Sequence, residues 1–571
     1  MLIIFLFLIN QTLFETEEKK DFEVILSELE NLRENPVDLN TASLEEFLKI
    51  PFLKYSDALK ILAYREKAGP FEKFEELYKI PGLDSNSIEE IRPFLAVKKK
   101  PVRLKGIASR LRFKRNLKEK KSEEYYTNTK TEIGDYKIYL VTEKDPYEIS
   151  FFDYYSTGVL IDEGKRRFAL GKYNLNIGSG VMLSSVGSFF SGIDYRILTH
   201  KQGIIPHTSV MENGGFFGAA VSDSLFLNYC LFYSHQRLDG RIDTSGYARS
   251  FDESGNHIDS LSIARKDRIE EEIFGYDIQY RYKRIQLSNH TYLCNYEPPF
   301  VCEDSLNQFY GKSFWISGLE LKYFAERFII FSEFARSFQN RTGGIFGWSG
   351  ILPYNLDFNL SGKFFSPNFY SPKGIESDAD YIGVVFDLNH HSILDVGTTL
   401  NINTDNEVDT TNYDLRLNLN KNIGFTQWGT QFRWFYKEGN RQSSGTRVSL
   451  RLLPKRFLYF GLRLEERYNY QDSLCRGILG GIESGLETKF FKLIGRYSLF
   501  DIDDYAVRIF VYEPDLPGII NNRVFYGQGN SYLVYLSINP YKGMNISLKY
   551  FAMEKDSLSQ QIGFQLDSQI K

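Results

Sequence analysis

The sequence predicts an α+β, multidomain fold: a small all-α domain of paired helical hairpins, followed by a large antiparallel transmembrane β-barrel. Between residues 39 and 95, apolar residues recur at three- and four-residue steps, and Ile50-Pro51, Gly69-Pro70 and Ile80-Pro81-Gly82 interrupt them. From about residue 136 the period drops to two, in segments of about ten residues that run almost to the end of the chain. Composition agrees. There are 47 Phe, 38 Tyr and 44 Gly in 571 residues, but only 5 Met and 4 Trp, and aromatic side chains suit a pleated surface. A mean hydropathy of -0.32 excludes a helical membrane protein, and a net charge of -4 singles out no partner.

Residues 2–9 are wholly apolar. A membrane-spanning helix needs about 20 such residues, so the run fits the apolar core of a signal peptide, placed at residues 1–16. No Lys or Arg precedes it, and no Ala-x-Ala site follows. Residues 17–36 hold a leading amphipathic helix: Phe22, Ile25, Leu26, Leu29 and Leu32 share one face. Asn35-Pro36 ends it.

Residues 37–97 form the hairpin domain. Thr41 or Ser43 caps a first helix, with Glu45 and Glu46 in its first turn. A second helix spans residues 56–67, a third 71–78 and a fourth 85–92. Glycine between two helices lets the main chain approach a phosphate, and the following helix N-terminus offers unpaired N–H groups. Such contacts hold the sugar-phosphate backbone without reading sequence.

Leu39-Asn40-Thr41-Ala42, Ile50-Pro51-Phe52-Leu53, Gly69-Pro70-Phe71 and Ile80-Pro81-Gly82-Leu83 resemble the tandem helix-hairpin-helix module of the ComEA-type DNA uptake proteins. Together with the glycine-rich stretches Gly178-Ser179-Gly180 and Gly215-Phe216-Phe217-Gly218, they also resemble a group of helix-hairpin-helix barrel proteins of Gram-negative bacteria. The resemblance implies DNA contacts at Pro81, Gly82, Leu83, Ser85 and Lys54. The family hairpin is often Pro-Gly-Ile-Gly. Here Asp84 stands at the second glycine of hairpin two, and Phe52 and Lys54 stand at the two glycines of hairpin one. Such modules also dock proteins, so a periplasmic protein is the competing partner.

Residues 98–121 are the most basic stretch, read as a linker or first strand. Lys98, Lys99, Lys100, Arg103 and Lys105 lie nearest the hairpins and are the candidates for holding a polyanion through counterion release. Lumen-facing charges or a solvated linker give the same composition.

Residues 122–571 are assigned to an outer-membrane barrel of about 20 to 26 strands. Leu415, Leu417 and Leu419 alternate with Asp414, Arg416 and Asn418, and Leu458, Phe460, Leu462 and Leu464 alternate with Arg463 and Glu465. The glycine-rich segment from Gly171 to Ala220 reads either as an inward-folded loop or as ordinary hairpin turns, and ordinary turns are the simpler account.

Little points to chemistry. The seven histidines are scattered, and His390-His391 would face opposite sides of a strand. Catalytic and metal motifs are absent, so neither an enzyme nor a cofactor is expected. The acidic run Asp501-Ile502-Asp503-Asp504 reads as a solvated turn rather than a calcium loop. Of the four cysteines (Cys230, Cys294, Cys302 and Cys475), Cys294 and Cys302 are near enough in sequence to bridge a loop in an exported protein. The expected function is non-specific DNA binding by a periplasmic module on an outer-membrane barrel, in uptake and competence. The alternative is a structural or secretion-associated barrel whose module docks a periplasmic protein and binds no DNA. The expected surroundings are outer-membrane lipid.

Overall fold

The computed structural model describes residues 32–33, 36–42, 44–48, 50, 53, 55–81, 83, 88, 91–97, 104–150, 153–163, 166–183, 203–224, 227–252, 255–301, 309–325, 327–367, 369–374, 381–390, 395–405, 410–438, 441–455, 457–470, 474–519 and 521–570. The signal peptide and nearly all of the leading helix lie outside them.

Among the described residues, twenty-four strands close into one antiparallel barrel. The closing seam joins the first strand, Leu104–Asn116, to the last, Leu558–Ile570, with Phe113 opposite Phe564 and Arg112 opposite Gln565. The barrel therefore starts at Leu104, ahead of the boundary at 122. Most of the basic stretch is wall, because its alternation of Ile107, Leu111 and Phe113 with Arg110, Arg112 and Lys114 is a strand pattern.

A ring of 24 strands with a spacing of ~4.8 Å and a tilt of ~40° has a backbone radius of about 24 Å. Outward side chains form an apolar belt: Leu170, Phe274, Leu293, Leu319, Phe346 and Ile482 are all exposed. Water would not tolerate so continuous a surface, and lipid does.

The two rims differ. One carries tight connections, such as Gly134–Asp135, Lys283–Arg284 and Gly424–Phe425 between successive strands. Gly134, Lys283 and Gly424 take positive φ there, as two-residue hairpins require. The other rim carries longer connections, whose described residues include 177–183, 203–215, 239–252, 255–268, 503–519 and 521–526. Leu104 pairs with Ile133 beside the Gly134 turn, so the chain enters the barrel at the tight-turn rim.

Long-rim segments fold inward. Strands Ile509–Glu513 and Asn521–Phe525 form a hairpin held by wall arginines. Arg463 donates to the carbonyl of Phe510 at 3.0 Å, Arg467 to that of Arg508 at 3.0 Å, and Arg112 to that of Pro517 at 2.9 Å. Val507, Ile509, Val511 and Phe525 share an apolar cluster with wall residues Leu479, Phe500 and Ile502. The described residues of the glycine-rich segment between its strands, 177–183 and 203–215, likewise fold inward rather than forming ordinary turns, for reasons given below. The acidic run behaves as a turn: Asp504 accepts from the N–H of Ala506, and Asp503 from that of Arg476.

In the N-terminal module, helix Tyr55–Ala68 matches the expected second helix. The expected third helix is a 3-10 turn, Phe74–Lys79. Its six residues make about two tight turns that bury Leu77, with Ile80 following in extended backbone. Of the fourth, the described residues Ile88 and Ile91 are α-helical and buried, and Arg92 opens a 3-10 turn, Arg92–Phe94.

Candidate functional sites in the helical module and the lumen

The module is a small core sealed by polar brackets. Leu39, Phe47, Ile50, Leu53, Ala58, Ile61, Phe71, Leu77, Ile88, Ile91 and Phe94 are buried together. Val37–Asp38 and Leu95–Ala96 pair in parallel and tie the ends of the domain. Asn40 brackets Phe71: its side-chain amide donates to the Phe71 carbonyl at 2.9 Å, and its oxygen accepts from the Phe71 N–H at 2.7 Å. Arg65 donates to the carbonyls of Leu39 and Ala42 at 3.0 and 2.8 Å. The Leu39-Asn40-Thr41-Ala42 signature is thus a structural staple.

Of the residues proposed to hold DNA, Pro81 is exposed and Leu83 is half-buried against the core. The Leu83 N–H bonds the Ile80 carbonyl at 3.3 Å, closing the second hairpin turn. Gly82, Ser85, Lys54, Lys98, Lys99, Lys100 and Arg103 lie outside the described residues. Lys105 is on the first barrel strand, its side chain outside the description. Farther along that strand Arg110 and Lys114 face the lumen and are paired, Arg110 with Asp567 at 2.6 Å and Lys114 with Glu124 at 2.5 Å. That part of the stretch does not offer free charge to a polyanion.

The module is seated on the barrel. Helix Tyr55–Ala68 lies against strand Thr342–Leu352, and the module core is continuous with buried barrel residues. On the outward face of that strand Phe346 and Trp348 are 48% and 43% exposed, so the helix sits on the lumen side. There Ile329, Phe331, Ser349 and Ser361 are buried although they line a lumen about 24 Å in radius.

A second constellation joins four neighbouring strands near the middle of the wall. Asp277, His290, Glu320 and Glu333 project inward from Ile269–Tyr282, Ile285–Phe300, Gly311–Phe324 and Phe328–Ser337. All are buried. His290 Nε2 lies 2.9 Å from Glu333 Oε1, and its Nδ1 lies 3.5 Å from Asp277. Gly318 stands between them and leaves the space: a Cβ there would be 2.8 Å from His290 Nε2 and 2.5 Å from Met182 Sδ. Glu333 Oε2 accepts the N–H groups of Ser179 and, at 3.3 Å, Val181. Ser179 Oγ donates to Glu320 at 2.6 Å. Gly178, at φ +72, passes close to the Glu333 carboxylate, which explains the glycine. Ser, His and Glu meet here, but the hydroxyl is given to Glu320 rather than to the imidazole. The arrangement anchors a loop and does not pair a nucleophile with a base. Sequence reasoning missed it because its acidic and imidazole groups come from separate strands.

A third cluster clasps the long rim. His257 bonds Asp153 through Nδ1 and Asp239 through Nε2, the latter at 3.0 Å, with Glu212 at 3.9 Å. Lys266 Nζ lies 2.8 Å from Asp153, and Glu148 accepts the His257 N–H at 3.1 Å. Burial opposes charge on His257, but the bonds to Asp239 and Asp153 outweigh it and push its pKa up to about 9. Burial and the neighbouring Asp239 push Glu212 up to about 9. Glu148, Asp153 and His257 are close enough to share a cation, as are Glu212, Asp239 and His257. Both imidazole nitrogens are already engaged and an ammonium sits in the cluster, so the residues present form a complete ion-paired clasp. Cys230 and Cys294 are buried free thiols; Cys302 lies outside the described residues.

The helix-hairpin-helix motif family matches residues 33–96. Over 62 residues the chain is 40% identical to ComE operon protein 1 of Bacillus subtilis (strain 168), a stretch that makes up 11% of this chain and 30% of that protein. The chain thus spans under a third of that relative. Among solved structures it is similar to the P pilus usher PapC translocation pore, at 8% identity over 82% of this chain and 99% of that one, with a TM-score of 0.38. It is also similar to the ferric enterobactin receptor PfeA of Pseudomonas aeruginosa, at 7% identity over 83% and 82%, with a TM-score of 0.40. At these scores the barrel rests on the chain's own strand pairing.

Proposed function

We propose that the chain is a gated outer-membrane conduit in which the helix-hairpin-helix module docks into the periplasmic mouth of its own barrel. The observation carrying this reading is the seat of helix Tyr55–Ala68 on the lumen side of Thr342–Leu352, with one apolar core running from module to wall. The orientation follows the rule that bacterial barrels turn tightly on the periplasmic side, the rim at which this chain enters. Charge supports docking over DNA. Residues 33–97 hold nine Lys and Arg against twelve Asp and Glu, and Asp84, Glu89 and Glu90 closely follow Pro81-Gly82-Leu83 in the sequence. A net negative surface repels a phosphate backbone.

Removing residues 1–97 tests this. The truncated barrel, checked for folding by heat-modifiable migration, should conduct more than the intact chain in planar bilayers. Equal conductance would refute the gate.

A DNA-binding module at the same mouth is the second reading, favoured by the exposed Pro81 turn and the neighbouring run Lys98-Lys99-Lys100. It would place the chain in DNA uptake. The intact protein should then bind duplex DNA regardless of sequence, with affinity falling steeply with salt. The Gly82→Glu variant should lose that binding. No binding at low salt leaves docking alone.

A further inference from the structure

The filled and unfilled parts of the lumen differ in chemistry. The module and the inward loops cover the wall between residues 154 and 365. The hairpin of residues 509–525 covers the wall from residue 458 through the closing seam. Between them lie Tyr381–His390, Asp395–Asp405, Thr410–Ile423, Thr426–Lys437 and Arg441–Lys455, the last with its lumen-facing Arg447 and Arg451 paired to Glu465 and Glu483. The covered lumen-facing residues His290 and Tyr292 are 0% and 1% exposed. In the intervening sector Asn401, Asn418 and Gln431 are buried at mid-height, while Asn389, Thr399, Asn403 and Asn420 are half-buried. Size requires such a gap: a 65-residue module has a radius of gyration of about 11 Å, too small to fill a ring about 24 Å in radius.

In this sector Leu400, Leu415 and Trp434 stand opposite one another on the outward face, and Asn401, Asn418 and Gln431 lie on the lumen face. The Gln431 amide donates to Asn418 at 2.9 Å. Asn389 leans over Gly397, whose missing side chain makes room for it. The charged residues at mid-height neutralise one another: Asp414 pairs with Arg416 at 2.8 Å and with Arg433 at 2.9 Å.

Carboxamides offer a donor and an acceptor side by side. Hydroxyl groups of a saccharide need both, while a polyanion needs cations. We infer that this sector is a carboxamide-lined lane that binds and passes neutral polyhydroxylated chains such as oligosaccharides. The inference rests on the conduit reading and names its cargo.

The test uses the intact chain in planar bilayers, with the chain lacking residues 1–97 measured beside it. The probes are maltoheptaose, which is neutral, and linear polyphosphate of similar length. Maltoheptaose should block the current in a concentration-dependent way. In Asn389→Leu/Asn420→Leu its binding should weaken about tenfold, as loss of hydrogen bonds at two positions implies. Polyphosphate should block less. Block by polyphosphate alone, or saccharide block untouched by the substitutions, overturns the lane. If neither protein conducts, the lane is overturned as a passage. If truncation leaves conductance unchanged while saccharide block follows the substitutions, the gate fails and the lane stands.

Discussion

Glu333→Gln should release the glycine-rich loop from the wall. Glu333 is 1% exposed and serves three groups: the N–H of Ser179, the N–H of Val181 at 3.3 Å and His290 Nε2 at 2.9 Å. The amide keeps the shape but has one acceptor oxygen, and its NH2 would face donors. His290 is left buried, with only Asp277 at 3.5 Å. Removing one partner of a buried pair costs about 3–5 kcal/mol, and the lower figure corresponds to about a 150-fold change in an equilibrium. Backbone amide exchange across residues 177–183 reads the loop directly. In the detergent-solubilised protein it should quicken by about two orders of magnitude. Glu297→Gln, which breaks an exposed pair with Lys312, is the control and should change exchange little. Exchange in Glu333→Gln within threefold of the parent would refute the anchor and return the loop to the status of an ordinary turn.

Other consequences follow from the same geometry. Gly318→Val should loosen the loop as Glu333→Gln does, because its Cβ would meet Met182 Sδ at 2.5 Å; the same exchange measurement checks it. Asn40→Ala should destabilise the module by about 2–3 kcal/mol, since the Phe71 N–H and carbonyl lose their bracket. Protease should then cut the module sooner while the barrel's heat-modifiable migration persists. The rim clasp should loosen with alkali. His257, raised to about 9, contributes stability fully below its unfolded value near 6.5 and loses it as pH rises through 9. Glu212, also raised to about 9, favours its protonated form and moves stability in the same direction. A spin label at Leu261→Cys should therefore gain mobility between about pH 6.5 and 9, and unchanged or reduced mobility would count against the clasp.

Period and punctuation made two parts of the molecule legible. Alternation such as Leu415, Leu417 and Leu419 against Asp414, Arg416 and Asn418 is local information, because successive side chains of a strand must face opposite sides. Helical spacing between prolines likewise announced the module. Leu104–Asn116 was legible in part: its charge suggested a linker and its alternation a first strand, and its partner at the far end of the chain makes it wall. The candidate DNA residues were chosen by type and spacing, and that reasoning is blind to where charge is spent. Arg110 and Lys114, in the same basic stretch though not among those candidates, are basic in the sequence and neutralised in the fold.

The sequence by itself determined the elements: which residues face lipid, where strands turn, and that a helical hairpin domain precedes a barrel. Each depends on neighbours within a few positions, so a one-dimensional pattern records it. Tertiary structure alone decided what fills the lumen. Ser179 reaching Glu333, His257 reaching Asp153 and helix Tyr55–Ala68 meeting Thr342–Leu352 join residues about a hundred or more positions apart. Those pairings depend on ring closure and on loop length, and closure brings into one interior side chains that no local periodicity relates.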